Sequence, residues 1–209
     1  MLTFLHAADF HLDSPFHALP PEQAAERRQE QRQLLTRLAD TARQAQVDLV
    51  FLAGDLFDGQ RARAETVQAL DQVLEELEAE VFLSPGNHDP YSPTSPYGKF
   101  PWPDHVHLHP GRPGPGGGAP VGGGGLRQCL LPPLLDSPWP LPRQEEDLAA
   151  FGCFHGDLSS AHSRYGPITH NEIAASGLHY LAWATPQRQR PEAGGKTYYA
   201  WPAARRGGL

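Results

Sequence analysis

The chain reads as an α/β domain built on parallel strands, and three observations predict that class. Short, continuously apolar runs at residues 2–7, 47–53 and 81–84 alternate with longer stretches whose apolar residues recur every three or four positions. Each run ends directly in polar residues, as a strand buried on both faces does where it leaves a sheet. The order strand, helix, strand, helix, strand predicts parallel strands joined by crossover helices.

The elements follow in order. Residues 2–7 form the first strand and deliver Asp9 and His11. Pro20 and Pro21 open a helix over 22–46, since proline is pre-organised for the first helical turn, with Leu34, Leu35, Leu38, Ala42 and Ala45 as its apolar spacing. The second strand, 47–53, is closed by Gly54 and Asp55, and a helix over 64–79 carries Val67, Leu70, Val73, Leu74 and Leu77 on one face. Residues 81–84 run into Pro85, Gly86, Asn87, His88 and Asp89. Beyond Pro90 the signal weakens: 106–108 reads as a short strand, and 111–125, nearly all Gly and Pro, reads as loop or disorder because it has little apolar area to bury. Residues 149–154 form a strand ending in His155. Thr169 and Glu172 make a capping box for a short helix ended by Gly177, and 178–183 is a further strand. From 184 to 209 no period is visible, and the tail reads as irregular.

Composition narrows the function. A length of 209 residues suits one domain, here 1–183 followed by the tail 184–209. No apolar run approaches the roughly 18–20 residues of a membrane helix, so no membrane association is expected. The first residues lack the pattern of a cleaved leader, which makes the cytoplasm the expected location. Two cysteines, Cys129 and Cys153, cannot build a disulfide framework or a four-thiolate zinc site. A net charge of −7 argues against gripping nucleic acid by bulk electrostatics.

The chemistry sits at the strand ends. Asp9, His11, Asp55, Asn87, His88 and His155 each lie just past a strand, and the carboxyl ends of parallel strands line one edge, so these residues converge. Oxygen and imidazole donors meeting there suit two divalent cations sharing one carboxylate. Such a pair lowers the pKa of a bridging water and clamps a phosphate ester. Asn87 supplies a hard oxygen without charge, and an imidazole at 88, with an ordinary pKa of about 6.5, suits a general acid. Gly86 is expected to permit a tight turn. Asp13, Asp58 and Asp89 are expected as turn or supporting carboxylates, and His105, His107 and His109 as a solvated loop edge.

The segments D9-F-H11, G54-D55-L-F-D58, G86-N87-H88-D89 and F154-H155-G156 resemble, in order, the motifs of the calcineurin-like metallophosphoesterases, over roughly residues 1–181. Their variants HAADFHLDSPF, LAGDLFD and SPGNHDPYSPTSPY are most similar to those of SbcD-type DNA repair exonucleases, whose ATPase partner is SMC-like. The resemblance implies two sheets packed face to face with helices outside. It implies Asp9 and His11 as ligands of a first metal, Asp55 as the bridging carboxylate, Asn87 and His155 as ligands of a second, and His88 as the proton donor to the leaving oxygen. Two manganese ions, a DNA phosphodiester substrate and an SMC-like ATPase subunit are implied with it. Phosphomonoesterase or cyclic-nucleotide phosphodiesterase activity on the same scaffold is the alternative among enzymes, and an inactive binding module the alternative outside them.

One family motif is missing. Gly-His-x-His should follow the strand at 178–183, supplying a further imidazole to each metal, but Ala184, Thr185, Pro186 and Gln187 stand there. Impaired activity is therefore expected. If Ala184 is encoded GCC, the nucleotides around the single Trp183 codon, read one base earlier, spell Leu-Gly-His. An out-of-frame tail is one account of the change and divergence into an inactive paralogue the other, and the coding nucleotides separate them.

Overall fold

A computed structural model describes residues 2–108, 151–156, 169–175, 178–185, 192–193, 196–197 and 199–202. The first sheet contains β1 (Phe4–Ala7), β2 (Leu49–Ala53), β3 (Glu80–Ser84) and β4 (Val106–Leu108), in that spatial order and all parallel. Helices α1 (Pro21–Ala45) and α2 (Ala64–Glu75) make the first two crossovers, and α3 (Pro96–Lys99) is a single turn before β4 that the periodicity does not reveal. The second sheet contains β5 (Phe151–His155), β6 (Tyr180–Thr185) and β9 (Tyr199–Pro202), again parallel, with α4 (His170–Ala175) between β5 and β6.

Alternation along the strands explains why two sheets form. Val50 and Leu52 of β2, with Val81 and Leu83 of β3, face Leu35, Leu38, Ala42, Leu70 and Leu74 of the helices. The intervening Phe51, Ala53 and Phe82 face Phe151, Cys153, Leu181 and Trp183 of the second sheet. A strand with apolar side chains on both faces needs a layer on each side, and the helices cover only one. Phe51 stacks on Phe151 at 5.8 Å, and Phe4 meets both rings edge-on at 5.7 Å. Cys153 Sγ lies 3.6 Å from the carbonyl oxygens of Leu52 and Phe82, so β5 packs directly against β2 and β3.

Several expectations change. The buried stripe of α1 is Ala24, Leu35, Leu38, Ala39 and Ala42, whereas Leu34 and Ala45 are exposed, because the stripe follows the helical period more strictly than a count of apolar residues does. The second helix stops at Glu75 rather than at 79. The tail expected to be irregular contains β9, and the short antiparallel pair β7 (Glu192–Ala193) and β8 (Lys196–Thr197) precedes it. Backbone pairing against β6 creates β9 where no hydrophobic period marks it. His105 and His107, expected on a solvated loop edge, are half-buried and partnered: His105 Nε2 lies 2.9 Å from the Leu74 carbonyl, while His107 of β4 stacks on Phe82 and meets Glu80 at 2.6 Å. His109, the Gly/Pro-rich segment 111–125 and Gly177 lie outside the described residues. Among the described residues no helix is long and apolar enough to cross a membrane.

Candidate dimetal site

Parallel pairing continues past the ends of β1 and β2 and zips their loops together. The amide of Asp9 donates to the Gly54 carbonyl (3.2 Å), that of His11 to Asp55 (2.9 Å), and that of Leu12 to Leu56 (2.9 Å). Asp9, His11 and Asp55 therefore sit side by side, although 44 residues separate His11 from Asp55. All three adopt left-handed backbone, with φ of 55°, 48° and 47°. Asp and His tolerate that region better than most residues but still pay a strain of about 1–3 kcal/mol each, and such strain concentrates at functional sites.

The loop after β3 is tied to the same place. The His88 amide donates to Asp55 Oδ1 at 2.9 Å. Asp89 is fully buried and accepts from the Phe57 amide (2.8 Å), the Gly86 amide (2.7 Å) and the Tyr97 hydroxyl. His155 arrives from the second sheet, with Nε2 2.8 Å from Asn87 Oδ1 and 3.6 Å from Asp55 Oδ2. The sequence reading placed these residues along one sheet edge; the structure draws His155 from the facing sheet instead.

Two glycines make that approach possible. A Cβ on Gly54 would strike the ring of His155, and one on Gly86 would strike the Asp55 carboxylate. Gly54 also needs its positive φ of 80°, whereas Gly86 has no positive φ. The expected tight turn at Gly86 is thus not the reason for that glycine; close approach to Asp55 is.

The resulting constellation has a shared centre. Asp55 Oδ2 lies 3.7 Å from His11 Nε2 and 3.6 Å from His155 Nε2, between two imidazoles. Two groups of potential cation ligands result, Asp9 with Asp55 and His155, and His11 with Asp55 and His88, the ligand atoms within each group lying within 4.8 Å of one another. Asp55 belongs to both. All six residues singled out from the sequence are together, with Asn87 reaching the site through His155. His88 falls within ligand distance of His11 and Asp55 as well as near Asp58.

Electrostatics fit cations. Asp9 is buried, its Oδ2 has no hydrogen-bond partner among the described residues, and its pKa is raised to about 8 by burial and then by the charges of Asp55 and Asp89. A buried carboxylate with an orphaned oxygen beside two more carboxylates is stabilised by a positive ion. Burial lowers the His155 pKa despite the attraction of Asp55, which keeps the imidazole in the neutral form that binds metal. The mixture of carboxylate, amide oxygen and imidazole suits hard or borderline divalent ions.

A family model for calcineurin-like phosphoesterases matches residues 2–192. The chain belongs to the calcineurin-like phosphoesterase family. It is also 31% identical over 202 residues to the metallophosphoesterase YhaO of Bacillus subtilis (strain 168), an alignment covering 87% of this chain and 47% of that protein, so the chain spans about half the length of this relative. Calcineurin-like phosphoesterases are divalent-metal hydrolases of phosphate esters, and the two groups sharing Asp55 are this chain's candidate ligand groups for such ions.

Supporting residues surround these groups. Asp58 Oδ1 lies 2.9 Å from His88 Nδ1 and 3.3 Å from His11 Nδ1, and its Oδ2 accepts from Ser14 Oγ. Asp13 accepts from the Arg63 amide and the Thr66 hydroxyl, joining the β1 loop to the start of α2. Gln31 of α1 donates to the carbonyl of strained His11 at 2.7 Å. Asp13, Asp58 and Asp89 take the supporting places expected of them, but nothing local in the sequence marks Gln31, and the segment that ends in Tyr97 does not say what its hydroxyl meets.

Proposed function

We propose that this chain carries a dimanganese phosphodiesterase centre of the SbcD type, built to hydrolyse DNA from an end in the cytoplasm alongside an SMC-like ATPase subunit. The observation that carries the phosphodiesterase reading is the single carboxylate oxygen, Asp55 Oδ2, poised between the imidazoles of His11 and His155. The DNA and partner assignments rest on the motif variants around Asp9, Asp55 and Asn87. When bound, two divalent cations supply Lewis-acid charge, which acidifies a water and neutralises the phosphate. Asp9, His11, Asp55, Asn87 and His155 would hold them, with Asp55 common to both.

The protein's own proton chemistry falls to His88. With Nδ1–H donated to Asp58, Nε2 is left to carry a proton to the departing sugar oxygen. A second reading, an impaired or binding-only centre, is favoured by the end of β6: Ala184 is buried and register-paired with His155, so a methyl group stands where the family pattern would bring its final motif.

The deciding assay measures release of labelled nucleotide from end-labelled linear duplex DNA at high manganese, with p-nitrophenyl phosphate and a cyclic nucleotide in parallel. The chain as it stands should show little turnover. The variant Ala184→Gly/Thr185→His/Pro186→Ile/Gln187→His should gain activity, and on DNA in preference to the other two. Gain on the monoester alone would replace the DNA reading, and no gain on any substrate would favour the binding-only centre.

A further inference from the structure

We infer that Tyr97, the last residue of the segment SPGNHDPYSPTSPY and eight positions beyond Asp89, is a positioning residue for the site: through Asp89 its hydroxyl holds the loop carrying Asp55 against the loop carrying Asn87 and His88. The functional consequence rests on the proposed dimetal reading. Asp89 bonds the backbone of both loops, accepting from Phe57, two residues after Asp55, and from Gly86, one residue before Asn87. Two amides alone leave a buried carboxylate short of donors, and the Tyr97 hydroxyl is its third.

Tyr97 is itself placed by packing. It is 2% exposed, meets Phe57 edge-on at 5.5 Å and stacks with Trp102 at 6.0 Å. The Trp102 indole donates to the Tyr97 carbonyl at 2.9 Å. The single turn α3 thus delivers one hydroxyl to one carboxylate, and the aromatic contacts fix where it arrives. Tyr97→Phe keeps those contacts and deletes the bonds of the hydroxyl, to Asp89 and to the backbone of Leu56 beside Asp55. Without them Asp89 can rotate away from one amide, and the two loops are free to separate. Ligand atoms that must meet within a few tenths of an ångström then lose register, and partners that orient ligands typically carry about 10–100-fold in metal affinity.

The test compares wild type, Tyr97→Phe, Asp89→Asn and the double variant in the full chain, by manganese titration calorimetry and, without metal, by amide exchange at Phe57 and Gly86. Tyr97→Phe should weaken manganese binding about tenfold and speed exchange at both amides in the metal-free protein, with a fall of a few degrees in melting temperature from the buried carboxylate left short of a donor. Asp89→Asn should weaken binding at least as much, and the double variant little further, because the bond between the two is the main path by which either acts. Unchanged affinity and exchange in Tyr97→Phe, with wild type binding manganese, would overturn the positioning role alone, as would additive losses in the double variant. Absence of manganese binding by the wild type would overturn both this role and the dimetal reading beneath it.

Discussion

His88 Nδ1 lies 2.9 Å from Asp58 Oδ1, and 41% of the His88 side chain is exposed while only 5% of Asp58 is. The buried carboxylate anchors one ring nitrogen and leaves the other toward solvent, where a substrate would arrive. The arrangement predicts how loss of the imidazole depends on the leaving group.

His88→Ala should lower turnover of a DNA phosphodiester by about 100-fold or more, since a sugar alkoxide needs a proton as it departs. With a p-nitrophenyl ester, whose leaving group needs none, the penalty should shrink to a few-fold. Steady-state rates on both substrates, in the variant carrying the restored histidines, check this. Equal penalties would mean that His88 acts chiefly as a metal ligand.

Asp55→Asn should abolish thermal stabilisation by manganese, because it weakens the one oxygen common to both ligand groups. A ligand at 100 times its dissociation constant stabilises by about 2.7 kcal/mol, enough to read in a melting curve. Asn87→Ala, touching one side only, should leave part of the shift. A wild type whose melting temperature ignores manganese would sink the dimetal reading.

Gly54→Ala should be more damaging than Gly86→Ala. Both place a methyl group against a site residue, His155 in one case and Asp55 in the other, but only Gly54 has left-handed backbone. Overpacking costs about 1–3 kcal/mol, and the backbone adds about 1 kcal/mol more at position 54. Urea unfolding of the two variants gives the ranking directly.

The His6 pKa is lowered to about 4 by burial, and its Nδ1 lies 3.0 Å from the Tyr180 hydroxyl across the two sheets. The folded state therefore binds the proton more weakly than the unfolded chain, whose histidine titrates near 6.5. The neutral ring's contribution is complete above pH 6.5 and is lost as pH falls toward 4, by at most about 3 kcal/mol. Asp9 and Asp89, raised to about 8 and about 7, push stability the opposite way on acidification, so the comparison must be between proteins. His6→Gln should flatten the difference in unfolding free energy between pH 6.5 and 4. An unchanged slope would show that the ring is not held neutral.

Local chemistry determined most of the strands, the longer helices and the set of candidate ligands. Apolar runs of four to seven residues punctuated by Asp9, Asp55 and Asn87 leave few alternatives to buried parallel strands, and the order of the motifs carries the family. What only tertiary structure decided is which surfaces meet. That Phe51 and Phe82 face a second sheet, and that His155 crosses from it to Asp55, depends on the period-two faces of β2 and β3 being covered by different layers. That Gly86 yields space to a carboxylate rather than turning the chain depends on a contact 31 residues away. β9 exists because the edge of β6 offers unpaired backbone groups, a drive that leaves no hydrophobic period to read. Tyr97 reaches Asp89 only because α3 and the rings of Phe57 and Trp102 fix its direction, and direction in space is not a property of residue type or spacing.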